Sequence, residues 1–306
     1  MDRRAIVAGA AGSEAIAEAA RRQDPAQRDR EAFEYRLEAK DAPPSVSCAS
    51  ASTSGVCCQL VMRPRESGRK KGGAEGGVSI ASHSVATVYE APLDAKLVQG
   101  VRTVFEHLRR GKQCPHTLTH ASKRLLFHVE KPTWKSDIRW ISARDEGTFA
   151  WFASLFEKLG VRRTFSFLGE LVLFSGFIVA RQSTRKSHFH TDFDGSGGKA
   201  LTLMTPLYDM SSLSDCHLVC EDGASLVQYR YTLGKAILFG DHFVHATQTG
   251  ESPFPIAFLS FTFGAKPLSD DEWRSAEAYV MQQNPIYQDP MGRIVKSSAF
   301  QHSKLH

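Results

Sequence analysis

The chain has 306 residues, 38 basic against 33 acidic side chains, a net charge of +5 and 42% hydrophobic residues. That length can bury one large core or two small ones. So slight a positive excess, with no extended basic and aromatic platform, gives no strong nucleic-acid signal. No apolar run reaches the length of a bilayer-spanning helix, so no membrane partner is expected.

The N-terminus lacks the uninterrupted apolar core of a secretory signal. Its Ala-rich opening with Arg3 and Arg4 is faintly transit-like, against which stand Asp2, Glu14 and Glu18. Residues 14–40 read as a charged helix interrupted at Pro25. From Ala42 to Ser82 the composition shifts to Ser, Gly, Pro, Lys and Arg, too polar to bury a core, so residues 1–82 are expected to be a charged helix plus an unstructured linker. The patch Arg69-Lys-Lys71 belongs to that solvated tract. Cys48, Cys57, Cys58, Cys114, Cys216 and Cys220 show neither disulfide-framework nor zinc spacing, and an intracellular, cytoplasmic compartment is expected.

Residues 83–165 predict helical and mixed elements. Asp145–Leu159 has apolar residues at helical spacing and stops at Gly160, with Phe149, Trp151, Phe152, Leu155 and Phe156 as core. His128-Val-Glu130 runs into Lys131-Pro132 and reads as structural. Glu170–Ala180 reads as strand, turn and strand, Ala200–Pro206 as a strand, Val227–Tyr231 as an alternating strand and Pro255–Phe263 as a long final strand. Cys216 and Cys220 read as strand residues facing one side. Ser269-Asp-Asp-Glu272 is a capping box opening a helix through Gln282, and residues 285–306 read as a tail.

Within this array lies His190-Thr-Asp192, with His245 on a later strand after Gly234-Lys-Ala-Ile-Leu-Phe-Gly240 and the turn Asp241-His242. A strand sends alternate side chains to one side, so His190 and Asp192 can reach one metal while Thr191 points away. Two imidazoles and a carboxylate on one face of an ion are the ligand set of a non-haem Fe(II) site that keeps positions open for O2. His188 and His242 compete as ligands; His245 is preferred to His242 because it follows the apolar Phe243-Val244 and begins a strand. Asp241 or Gln248 could hold a ligand's free ring nitrogen.

Strand, HxD, strand, then Gly-x-Ala-Ile-Leu-Phe and His245, then a last strand, resembles the 2-oxoglutarate and Fe(II)-dependent oxygenase superfamily over about residues 165 to 266. The Phe239–His245 segment is most similar to aspartyl/asparaginyl β-hydroxylase-type members. The resemblance implies an α+β fold, a double-stranded β-helix (jelly roll, cupin-like) with flanking helices, spanning residues 83–284. It implies His190, Asp192 and His245 as metal ligands, Fe(II) as metal, 2-oxoglutarate as co-substrate, and a dioxygenase that hydroxylates its substrate.

Members of that superfamily commonly carry a cation at the start of the last strand, where a guanidinium or ammonium pairs with the far carboxylate of 2-oxoglutarate. Here Ser252-Pro-Phe-Pro-Ile-Ala257 has none. Lys199 is the first candidate to replace it, Arg181 the second and Arg230 the third, with Thr202 or Tyr229 adding a hydroxyl. The missing cation keeps two alternatives open, a cupin-type iron oxygenase independent of 2-oxoglutarate and a non-catalytic jelly-roll binding protein. A small-molecule metabolite and a protein side chain are both open as substrate.

Overall fold

The computed structural model of the chain describes residues 58–61, 87–110, 116–130, 138–222 and 225–300. They lie in one compact unit, Pro43–His306. The helix expected at 14–40, the linker around β1, Cys48, Cys57, Cys114 and the Arg69-Lys-Lys71 patch lie outside the described residues. In chain order the strands and helices are β1 (Cys58–Val61), β2 (Thr87–Pro92), α1 (Ala95–Arg110), β3 (His116–His120), β4 (Lys123–Glu130), β5 (Arg139–Ala143), α2 (Glu146–Lys158) and the short α3 (Val161–Thr164). Then follow β6 (Leu171–Thr184), β7 (Ala200–Pro206), β8 (Leu218–Asp222), β9 (Ser225–Tyr229), β10 (Lys235–Phe239), β11 (His245–Thr247), β12 (Gly250–Ala265), α4 (Asp270–Gln283), β13 (Ile286–Gln288) and β14 (Ile294–Lys296).

Nine strands form one antiparallel sheet in the order β1-β2-β10-β7-β12-β6-β5-β4-β3, and β11-β8-β9 form a second. An isolated antiparallel bridge between His190 and His245 adds the segment through His190 to the edge of the second sheet. From β6 onward the chain therefore alternates: β6 in the large sheet, the His190 segment in the small one, β7 large, β8 and β9 small, β10 large, β11 small, β12 large. Eight positions in two facing sheets with this crossing pattern are a jelly roll, that is, a double-stranded β-helix, and the helices make the class α+β.

Burial explains the strand sequences. Val179, Ile237, Phe239, Ile256 and Phe258 of the large sheet pack against Leu218, Cys220 and Tyr229 of the small one. The other face of the large sheet, through Leu201, Leu203, Leu238, Leu259, Phe261 and Phe263, packs on α1 and α2. On α1, Val98, Val101, Val104, Phe105 and Leu108 are buried, one stripe at helical spacing. A strand covered on both faces has no polar alternation, which is why β6 and β12 read as nearly continuous apolar runs.

The turn expected inside Glu170–Ala180 is absent: β6 runs unbroken through Ser175-Gly176. Gly176 has a packing task instead, since a Cβ there would stand 2.7 Å from the Phe152 side chain. One residue before Ser175, the pairing with β12 shifts register and leaves Phe174 as an extra residue, a bulge that feeds a third cluster under α4. The helix at Asp145 forms with Asp145 as cap and Thr148 N–H donating to its carboxylate at 2.8 Å; Phe149, Phe152, Leu155 and Phe156 are buried and Trp151 half-buried. The Ser269 capping box forms in full. Cys216 lies outside any strand, with φ +61°, while Cys220 sits in β8; both are buried free thiols. The stretch after α4 carries the β13–β14 hairpin.

Candidate metal centre

His190 and His245 face each other across the small sheet. Each backbone N–H donates to the other's carbonyl at 3.0 Å, the closed pair of an antiparallel ladder, and residues so paired share a face. Asp192, two residues on, returns to the same face. Their ligand atoms all lie within 4.8 Å of one another. Nε2 of His190 is 3.5 Å, and Nε2 of His245 3.7 Å, from Oδ1 of Asp192.

The imidazole orientation is set by backbone. Nδ1 of His190 lies 2.9 Å from the His188 carbonyl, and Nδ1 of His245 3.0 Å from the Phe243 carbonyl. A carbonyl only accepts, so each Nδ1 carries the proton and each Nε2 turns a lone pair toward Asp192. Phe243 stacks on the His245 ring at 5.1 Å, and Phe239 packs on it at 4.6 Å. Oδ2 of Asp192 accepts from the Thr202 hydroxyl at 2.7 Å, leaving Oδ1 for the inward side. Burial alone would raise the Asp192 carboxyl, but the charge and hydrogen bond that the two imidazoles offer when protonated, with the Thr202 hydroxyl, outweigh it and hold it well below the usual carboxylate range. Two neutral imidazoles and one ionised carboxylate, converging with their ring protons directed away, fit a divalent first-row metal. His245 and Asp192 are buried, while the His190 side chain is 47% exposed, so the cluster opens to solvent on that side.

The rival histidines stand apart. His242 occupies an exposed turn with φ +64°, and His188 is exposed, contributing its carbonyl rather than its ring to the His190 contact. Asp241 and Gln248 do not hold a ligand's ring nitrogen. Asp241 accepts from the Ser196 hydroxyl at 2.5 Å and the Gly198 N–H at 3.1 Å, and Gln248 accepts from Gln228 at 2.6 Å. Asp241 thereby brackets the loop after Asp192, in which Gly195, Gly197 and Gly198 all have positive φ, a conformation that favours glycine. The helix α4 seals this loop from the other side. Ser275 donates to the Asp194 carbonyl, and Phe193 packs on Tyr279 at 4.8 Å.

Of the residues expected near a co-substrate, Lys199 pairs with Glu272 of α4 at 2.9 Å. Arg230 is exposed and donates to the Leu213 carbonyl, and Tyr229 donates to Glu90 at 2.9 Å. Thr202 is taken up by Asp192. Arg181, on β6, lies opposite the buried Ile256 of β12. Two features were not read from the sequence: the pair of backbone carbonyls that fix the tautomers, which carry no side-chain signal, and the loop-sealing role of α4.

No family model matches the chain, and no curated protein matches it. Among solved structures it is similar to the non-haem α-ketoglutarate-dependent epimerase SnoN from nogalamycin biosynthesis, at 15% identity over 58% of this chain and 77% of that one, with a TM-score of 0.41. HygX from Streptomyces hygroscopicus, with nickel, 2-oxoglutarate and hygromycin B bound, is similar at 13% identity over 58% and 83%, TM-score 0.41. A Pseudomonas putida prolyl-4-hydroxylase is similar at 13% over 59% and 93%, TM-score 0.38. At that level of overlap the jelly roll is carried by the chain's own strand order, and its site by the convergence of His190, Asp192 and His245.

Proposed function

We propose that this protein is a non-haem Fe(II) dioxygenase that uses 2-oxoglutarate and O2 to oxidise its substrate by hydroxylation-type chemistry. The observation that carries the reading is the triad itself: two Nε2 lone pairs and one carboxylate oxygen on the same side of a jelly roll, with solvent access on one side. Bound there, iron would supply O2 activation and the oxidising power. The chain's own groups do the rest. The carbonyls of His188 and Phe243 hold the two Nδ1 atoms and so aim both Nε2 atoms at Asp192, Thr202 holds Oδ2 of Asp192, and the aromatic rings of Phe239 and Phe243 keep water from His245. Substrate reaches the centre from the His190 side, where Phe189 is 37% exposed. A small-molecule metabolite or a protein side chain fits that opening. The similarity of the Phe239–His245 segment to aspartyl/asparaginyl β-hydroxylases favours hydroxylation as the reaction.

The test is succinate formation by Fe(II)-loaded protein given 2-oxoglutarate and O2 without added substrate. Slow succinate release is expected, falling to background in Asp192→Ala. The absence of a cation in the first turns of β12 favours, as second reading, an iron oxygenase that works without 2-oxoglutarate. O2 consumption by the wild type with no succinate above the Asp192→Ala background would establish that alternative.

A further inference from the structure

The large sheet is wider than the small one. Beyond β6, from which the chain crosses to the His190 segment, it continues through β5, β4 and β3. At the far end of the small sheet, Tyr229 of β9 donates to Glu90 of β2 at 2.9 Å, so the opposite edge, at His190, lies on the β6 side. Among the described residues no strand of the small sheet extends past that edge. The register shows which side chains face this uncovered side. Trp140 is opposite Val179 and Ser142 opposite Phe177, while Glu130 is opposite Trp140 and His128 opposite Ser142. Directly opposed residues on antiparallel strands project to one face, and Val179 belongs to the cluster between the two sheets. Glu130, Trp140, His128 and Ser142 therefore pave a shelf outside the opening at His190.

The polar groups of this shelf are unmet within the fold. Trp140 stacks on Phe177 with ring centres 4.5 Å apart, and its Nε1 has no acceptor. Ser142 Oγ, fully buried, also lacks a partner. The ring of Phe300 packs 5.0 Å from His128, which leaves Glu130 and Trp140, both half-buried, as the accessible part. Glu130 makes no hydrogen bond or ion pair among the described residues, and burial raises its carboxyl above the ordinary value. Arg144, two rows away on the same face, is turned to Nδ1 of His128 at 3.5 Å. A half-buried carboxylate without a cation is unfavourable until one arrives, and an indole face beside it attracts the same charge. Neighbouring strands lie about 4.8 Å apart, so β4 stands about 10 Å outside β6. A ligand with its reacting carbon at the triad and its cation at Glu130 is therefore elongated, by at least about three residues of extended peptide. A peptide also brings backbone carbonyls, the acceptors that Trp140 and Ser142 lack.

We infer that Glu130 and Trp140 form a subsite for a lysine or arginine side chain of an extended peptide whose target residue enters at His190. Glu130 takes the charge, and the Trp140 ring covers the aliphatic stem. The inference rests on the oxygenase reading above for the reaction, and within it selects a protein side chain over a small metabolite as substrate.

The test is a positional-scanning peptide array probed with the full chain, read as binding and therefore independent of turnover. The wild type should prefer peptides with one Lys or Arg over the same peptides with norleucine there, by about tenfold, as for a charge-assisted contact. Glu130→Gln should abolish that preference, and Trp140→Ala should weaken it about fivefold. Glu130→Lys should reverse it toward Asp and Glu, a result that misfolding does not produce. No peptide binding by the wild type, no preference for basic residues, or a preference kept in Glu130→Gln overturns the subsite. Spermidine competing as well as the basic peptides overturns the peptide as occupant. Succinate formation without a basic preference overturns the subsite alone, whereas a Glu130-dependent preference in a protein that forms no succinate supports the subsite and overturns the 2-oxoglutarate reading instead.

Discussion

His128 and His190 each precede a carboxylate by two residues, and their surroundings give them opposite fates. His190 is half-exposed at a mouth with Asp192 and His245 within reach. His128 is buried in β4 beside Arg144, and burial, reinforced by that guanidinium, pushes its imidazole down to about 4. In the folded protein it is neutral, whereas in the unfolded chain it binds a proton below about 6.5. Its contribution to stability is therefore complete above that ordinary value and is lost as pH falls from about 6.5 to about 4. Thermal melts should show the midpoint dropping across this window, with a shallower drop in His128→Leu; equal slopes in the two proteins would contradict the assignment. The reading of His128 as structural rested on Lys131-Pro132, and that of His245 over His242 on Phe243-Val244. In both cases local sequence carried the decision because the burial of a histidine depends on the strand that holds it. The partner of Lys199 was not legible: pairing with Glu272 spans 73 positions and needs the closure of α4 over the loop. Thr202 was recognised as a hydroxyl near the site, but its bond to Asp192 depends on where β7 begins relative to the His190 segment.

At the scale of elements, β6 shows what alternation cannot report. Ser175-Gly176 looks like a turn inside an apolar run, yet the strand continues because β12 pairs along one edge and β5 along the other. Gly176 is there for the approach of α2, its missing Cβ making room for Phe152. Gly176→Ala should cost about 1–3 kcal/mol by overpacking, measurable as a lower denaturation midpoint with the strand content retained in circular dichroism. An unchanged midpoint would mean that Phe152 is free to move aside. The capping box of α4 and the Asp145 cap of α2 were readable because a cap is a contact between residues three positions apart. The loop from Phe193 to Lys199 was readable only as glycine-rich. Its bracket, Asp241, comes from the turn that also positions His245, so one short segment serves both the third ligand and the loop that follows the first two.

At the scale of the whole chain, the order of strands makes the site possible. Alternation between two sheets brings the His190 segment and β11 together although 54 residues lie between the paired His190 and His245. It also sets Arg181 opposite the buried Ile256, a placement that sequence could not rank among its basic candidates, since facing depends on register across strands. The central claim is that this interior holds iron on His190, Asp192 and His245 and chelates 2-oxoglutarate there. Its most direct test is to load metal-free protein with Fe(II) without oxygen, add 2-oxoglutarate and record the visible spectrum. The account predicts one equivalent of iron and a keto-acid charge-transfer band, both lost in His245→Ala and both kept in His242→Ala. Iron and band surviving in His245→Ala, or no iron retained by the wild type, would contradict it.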